Sequence, residues 1–312
     1  MKRVIFAAAL LFCITPWASP AVALGLGLTL ALTLGNPYPT ESKNAAKVLL
    51  PGCVVLLGFG MNLSVVLAAG QRGLLFAAGS IAGTLLLGYA LGRLLKISAH
   101  TSALVTVGTA ICGGSAIAAV GSVIGAAECE MTVALGTVFL LNAAALYVFP
   151  LLGHALHLSQ TQFGTWAGIA IHDISSVVGA SAHYGLTALQ TATAVKLSRA
   201  LWIIPVSLGA AFAAGQCRRP SANTPGKLQI PWFIGFFLLA SVARSLVPGI
   251  AALSPAISHF ATVGLTVTLF LIGAGLSRQT LGAVGWKPLV QGMALWLVIS
   301  AGSLWVIVRT VS

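Results

Sequence analysis

Residues 101–125 read TSALVTVGTAICGGSAIAAVGSVIG. The stretch carries no charged residue and exceeds the roughly 20 residues that a helix needs to cross a hydrocarbon core. It reads as a membrane span, yet its centre, Cys112-Gly113-Gly114-Ser115, is poor helix-forming sequence. Adjacent glycines each cost about 1 kcal/mol relative to alanine. In lipid, an interrupted helix persists only where the freed backbone groups meet protein, water or ligand. One reading is a broken helix whose second half presents N–H groups to an anion. The other is close helix packing through small residues. The double glycine beside Ser115 favours the break.

The rest of the chain has the same character. Of 312 residues, 58% are hydrophobic and 6% charged, and the mean hydropathy is +1.01. Soluble domains carry about 25% charged residues, so a soluble enzyme, a nucleic-acid binder and a disordered chain are all poor readings. Apolar runs between punctuation predict about eleven spans, near 4–18, 20–34, 48–69, 73–95, 101–125, 131–157, 163–187, 190–215, 230–252, 257–276 and 286–309. An all-α polytopic membrane protein follows, with residues 1–312 forming a single transmembrane domain. Lys2 and Arg3 ahead of Val4–Ile14, with Ala21-Val22-Ala23 beyond, resemble a cleavable leader. Pro16 and Pro20 instead divide the region into two short runs, and two retained helices are the favoured reading.

The net charge is +12, from 16 basic and 4 acidic side chains. With the N-terminus cytoplasmic, the inner loops collect Lys2, Arg3, Lys43, Lys47, Arg93, Lys96, Arg218, Arg219, Lys227, Arg278 and Lys287. The outer loops hold Arg72, Arg244 and Arg309, with Glu128 and Glu130. This asymmetry is an orientation signal rather than a nucleic-acid footprint. Ten spans after the first divide into five and five, about 20–157 and 163–309. An odd number per half inverts the second against the first, as in many secondary transporters. Residues 101–125 and 257–276 then become equivalents. A second likeness, Gly108-Thr-Ala-Ile-Cys-Gly-Gly-Ser115 with Gly168-Ile-Ala-Ile-His-Asp-Ile-Ser175, does not fit that pairing, and such matches arise easily in Gly/Ala-rich helices.

Chemistry concentrates in two further places. Asp173 is the one acid inside a predicted span, and it follows His172. An ionisable group at membrane depth costs roughly 2.5–3.5 kcal/mol on insertion scales, so it faces a cavity or a partner. Asp173 could carry a proton, bind a coupling cation, orient His172 towards substrate, or tie helices together by pairing with Lys196 or Arg199. Lys196 and Arg199 share a helix face and suit an oxyanion. Snorkelling to the interface is the alternative for both. Asn62 and Asn142 read as interhelical glue, and Trp166, Trp202, Trp232, Trp286 and Trp305 as interfacial anchors. Five scattered cysteines support neither a disulfide framework nor a zinc site. No hydrolase, metalloprotease or phosphate-loop motif appears, so no enzyme, metal or cofactor is expected beyond a coupling proton or sodium ion.

The motifs ICGGSAIAAV (111–120), GTWAGIAIHDISSVVGA (164–180), Lys196-x-x-Arg199 and GLSRQTLGAVGWKPL (275–289) resemble the YeiH-like sulfate exporter family over nearly the whole chain. The resemblance implies a bacterial inner-membrane protein with ten or eleven helices. It also implies a distant similarity to the bile-acid-symporter-like group, where two inverted five-helix repeats form a scaffold and a moving core with crossing broken helices. Ser175-Ser176 departs from the family, whose members often carry a Gln there. The expected function is secondary transport of a small oxyanion, sulfate or a sulfonate. Cys112, Gly113, Gly114, Ser115, His172, Lys196 and Arg199 are the expected binding residues, with Asp173 and His172 for coupling. A sodium- or proton-coupled importer of organic carboxylates is the alternative, and a channel the third class. The lipid bilayer and a second copy of the chain, as a homodimer, are the expected partners.

Overall fold

The computed structural model describes residues 2–213, 232–275, 282 and 284–311. These run through helices α1 (Lys2–Phe12), α2 (Pro20–Thr33), α3 (Pro39–Gly58), α4 (Leu63–Leu94), α5 (Ala99–Ala110), α6 (Gly114–Ile124) and α7 (Glu128–Ala155). There follow α8 (Gln160–Ala170), α9 (Ile174–Tyr184), α10 (Leu186–Ala200), α11 (Ile203–Ala213), α12 (Trp232–Leu246), α13 (Pro248–Gly275) and α14 (Trp286–Thr310). Among the described residues, five stretches are long and apolar enough to cross a membrane: Phe76–Leu94, Glu128–Ala155, Leu186–Ala213, Pro248–Gly275 and Trp286–Thr310. The shorter α2, α6 and α12 are also apolar.

Several boundaries differ from the sequence reading. The expected gap at 70–72 lies inside α4, while the chain turns at 59–62, where Asn62 caps α4 by accepting from Ser64 N. Asn62 thus caps α4, and its side chain also accepts from Ser245 Oγ of α12 at 3.4 Å, linking two spans as the sequence reading expected. Residues 253–256, expected as a loop, belong to α13, which carries Pro255 within it. The span at 190–215 is interrupted at Leu201-Trp202. Arg218, Arg219, Lys227, Arg278 and Cys217 fall outside the described residues.

The helices pack in two groups. In one, α13 lies against α2 and α3, with α12 on α3. Gly27 and Gly273 let α2 and α13 meet backbone to backbone, since a Cβ at either would strike a main-chain atom of the other helix. In the other, α10 is wrapped by α4, α8 and α9, with α5, α7 and α14 completing the bundle. Trp166, expected at an interface, is 2% exposed here. It stacks on Phe149 and donates to Ser300 O at 2.9 Å, so its polar edge is satisfied inside the protein.

Two helices in the second group are broken midway. Between α5 and α6, Gly113 adopts φ +66°, ψ −123°, a conformation that only glycine enters without strain. Between α8 and α9 there is no glycine. There the Asn142 side chain accepts from the N–H groups of His172 at 3.1 Å and Asp173 at 3.3 Å. The Asp173 carboxylate then caps the next helix by accepting from Ser175 N at 3.1 Å. A polar cap inside an apolar bundle thus ends one helix and starts another. Of residues 257–276, the expected equivalent of 101–125, those up to Gly275 lie in the continuous α13, and Leu276 falls outside the described residues. The likeness of 108–115 to 168–175 instead places the two breaks in the same register.

Candidate functional site

Helix α10 is buried on every side from Thr191 to Ala200. Its two cations therefore point into protein: Lys196 and Arg199 are both 0% exposed, which removes the snorkelling alternative. A buried charge is tolerable only when its donors are met, and the helix breaks supply the acceptors. The last carbonyls of a helix lack intrahelical partners and carry the negative end of its dipole. Lys196 Nζ donates to Ile111 O, at the end of α5, at 3.1 Å, and to Ile171 O, at the end of α8, at 2.6 Å. Arg199 donates through Nη2 to Ala110 O and through Nη1 to Ser80 Oγ at 2.6 Å. Arg199 Nε is buried and has no partner among the described residues.

The two breaks also touch each other. A Cβ built on Gly113 comes to 3.5 Å from Asp173 Cβ and from His172 O. His172 is buried, and neither ring nitrogen has a partner among the described residues. Asp173 is half-buried, and its carboxylate also accepts from Ser175 Oγ. No ion pair joins Asp173 to Lys196 or Arg199 among the described residues, where the recorded pair is His100 with Glu130 at 3.1 Å. Asp173 therefore serves as the α9 cap instead of tying helices together through either cation.

Lys196, Arg199, His172, Asp173, Cys112 and Gly113 are thus gathered in one centre. Cys112 is a free, buried thiol. Gly114 and Ser115 open outward, Ser115 being exposed, and the start of α6 has no side-chain cap. Several contributors escaped the sequence reading: Ser80 gave no signal of its own, and the carbonyls of Ala110, Ile111 and Ile171 are invisible in sequence. Asn142, read as glue between helices, does join α7 to the α8–α9 break, where it accepts from two N–H groups. Two cavities of about 210 and 220 Å³ flank α10, one towards α3 and α13 and the other towards α4 and α12. Neither is lined by Lys196 or Arg199, so the cations sit behind the helix surface. The described residues hold no group of three metal-ligating side chains.

Comparison with known proteins places this architecture in a family. The profile of the family described as conserved hypothetical protein 698 matches residues 6–292. A UPF0324 membrane protein of Bacteroides thetaiotaomicron is 53% identical over 92% of this chain and 86% of its own. A UPF0324 membrane protein of Bdellovibrio bacteriovorus is 48% identical, covering 97% and 93%, and one of Geobacter sulfurreducens 46%, covering 96% and 94%. No solved structure matches the chain. The chain belongs to the conserved hypothetical protein 698 family, that of the UPF0324 membrane proteins, and is a multi-pass membrane protein. These matches carry neither a sulfate-exporter name nor a bile-acid-symporter relation.

Proposed function

We propose that this member of the UPF0324 membrane proteins is a secondary transporter for a small oxyanion, with sulfate or a sulfonate as substrate. The observation that carries the reading is the meeting of two broken helices on Lys196 and Arg199 inside an apolar bundle. Interrupted helices at membrane depth line binding sites because their unpaired backbone groups need a polar partner. Two buried cations against one half-buried carboxylate leave the centre positive, which suits an anion over a cation.

In this reading the substrate sits at the uncapped start of α6, against the Gly114 and Ser115 N–H groups, with Arg199 Nε and the His172 ring turned towards it. Asp173 resets the charge of the site during the cycle. The group around α10 moves as a core against the group of α2, α3, α12 and α13, giving alternating access. The lysine-rich and arginine-rich loops support a bacterial inner-membrane protein with a cytoplasmic N-terminus. About eleven crossings fit that charge pattern, whereas the inverted five-plus-five division draws less support from the broken 101–125 and the continuous 257–275.

A thermal-shift panel on the purified protein tests the substrate class. Sulfate, sulfite, thiosulfate, taurine and dicarboxylates are compared at equal ionic strength. Stabilisation by one of the sulfur oxyanions or sulfonates supports the reading, and stabilisation by dicarboxylates alone moves it to organic anions.

A further inference from the structure

Resting on the transporter reading, we infer that the ends of α5 and α8 form a monovalent-cation site that the Lys196 ammonium fills, so that this protein works without bound sodium. Each helix C-terminus carries the equivalent of about half a negative charge. Two ends facing one point therefore supply about one charge, which matches a single monovalent cation and not a divalent one. The point where they meet holds Lys196 Nζ, at 3.1 Å from Ile111 O and 2.6 Å from Ile171 O. An ammonium is a compact point charge with donors that rotate to meet carbonyls. It does here what a dehydrated sodium or potassium ion does between carbonyl oxygens.

The surroundings agree with a fixed occupant. Lys196 is 0% exposed and its stem is held by α10, buried along that whole face. The titratable and charged groups near it are Arg199 one turn on, Cys112 at the first break, and His172 and Asp173 at the second. Arg199 is engaged with Ala110 O and Ser80, and Asp173 with Ser175. Neither takes the ammonium away from the carbonyls. The lysine thereby supplies, from within the chain, the counter-charge for two helix ends inside the bundle.

The test uses the full-length protein in detergent and reads thermal unfolding in sodium, potassium or choline chloride at matched ionic strength. The wild type should unfold at the same temperature in all three. Lys196→Ala should unfold several degrees lower in choline and regain part of that loss with sodium or millimolar methylammonium, which fits the vacated space. Sodium stabilising the wild type over choline overturns the inference, as does a Lys196→Ala protein that ignores every cation. If Lys196→Ala does not accumulate, the wild type and Lys196→Arg are compared by sodium dependence of unfolding, and a sodium effect in either overturns it. Because this readout needs no substrate, an absence of anion flux defeats the transporter reading while leaving the cation result standing.

Discussion

The carbonyls of Ile111 and Ile171 end two different helices and accept hydrogen bonds from one ammonium, that of Lys196. The two residues hold the same place in the paired sequences Gly108–Ser115 and Gly168–Ser175. A single side chain thereby joins the α5–α6 and α8–α9 breaks, and Arg199 covers the neighbouring carbonyl of Ala110.

Gly113→Ala should destabilise the protein by about 1–3 kcal/mol, the usual cost of a non-glycine residue in such backbone. Its φ of +66° and the Val138 side chain at 3.3 Å from a built Cβ leave no easy adjustment. Gly114→Ala, one residue on and helical, should be nearly neutral, since its Cβ meets neighbours at ordinary contact distance. Thermal midpoints of the two variants side by side check the contrast.

Asn142→Leu should cost about 1–3 kcal/mol, because it strands two buried N–H groups, those of His172 and Asp173. The effect should be local to the α8–α9 break. Hydrogen exchange should rise first at residues 171–175, and an even rise over the whole chain would contradict the assignment.

Ser80→Ala should cost about 1.5–3 kcal/mol, the net worth of a hydrogen bond to a charged group. Combined with Arg199→Lys, which lacks the planar fork, the losses should be less than additive. Additive losses in the double-mutant cycle would mean that Ser80 does not act through Arg199.

Asp173→Asn preserves a capping oxygen for Ser175 N, so the fold should hold within about 1 kcal/mol. On the transporter reading, anion flux should fall at least tenfold, since the site loses its one acid. Full flux with an unchanged thermal midpoint would reduce Asp173 to a cap.

How far the sequence told this story depends on the residue. Apolar run length was enough for the helical, membrane-crossing class, and the Gly113-Gly114 pair favoured the first break over close helix packing. Nothing in Ile171-His172-Asp173 marks a break by glycine or proline; it depends on Asn142, 30 positions away, and on an aspartate acting as a cap. Gly70-Gln71-Arg72 looked like a gap because it is polar, yet those residues continue α4. The true turn carried its own signal in Asn62, a residue type favoured at helix starts. Lys196 and Arg199 were legible as two cations on one helix face, with snorkelling left open, while their acceptors are backbone carbonyls, which no side-chain pattern reports.

The central claim is that the buried centre around Arg199 handles an anion during transport. Uptake of radiolabelled sulfate into proteoliposomes, by wild type and by Arg199→Ala verified as folded by its thermal midpoint, tests it most directly. The account predicts saturable uptake that Arg199→Ala abolishes. Uptake that is the same in both proteins would contradict it.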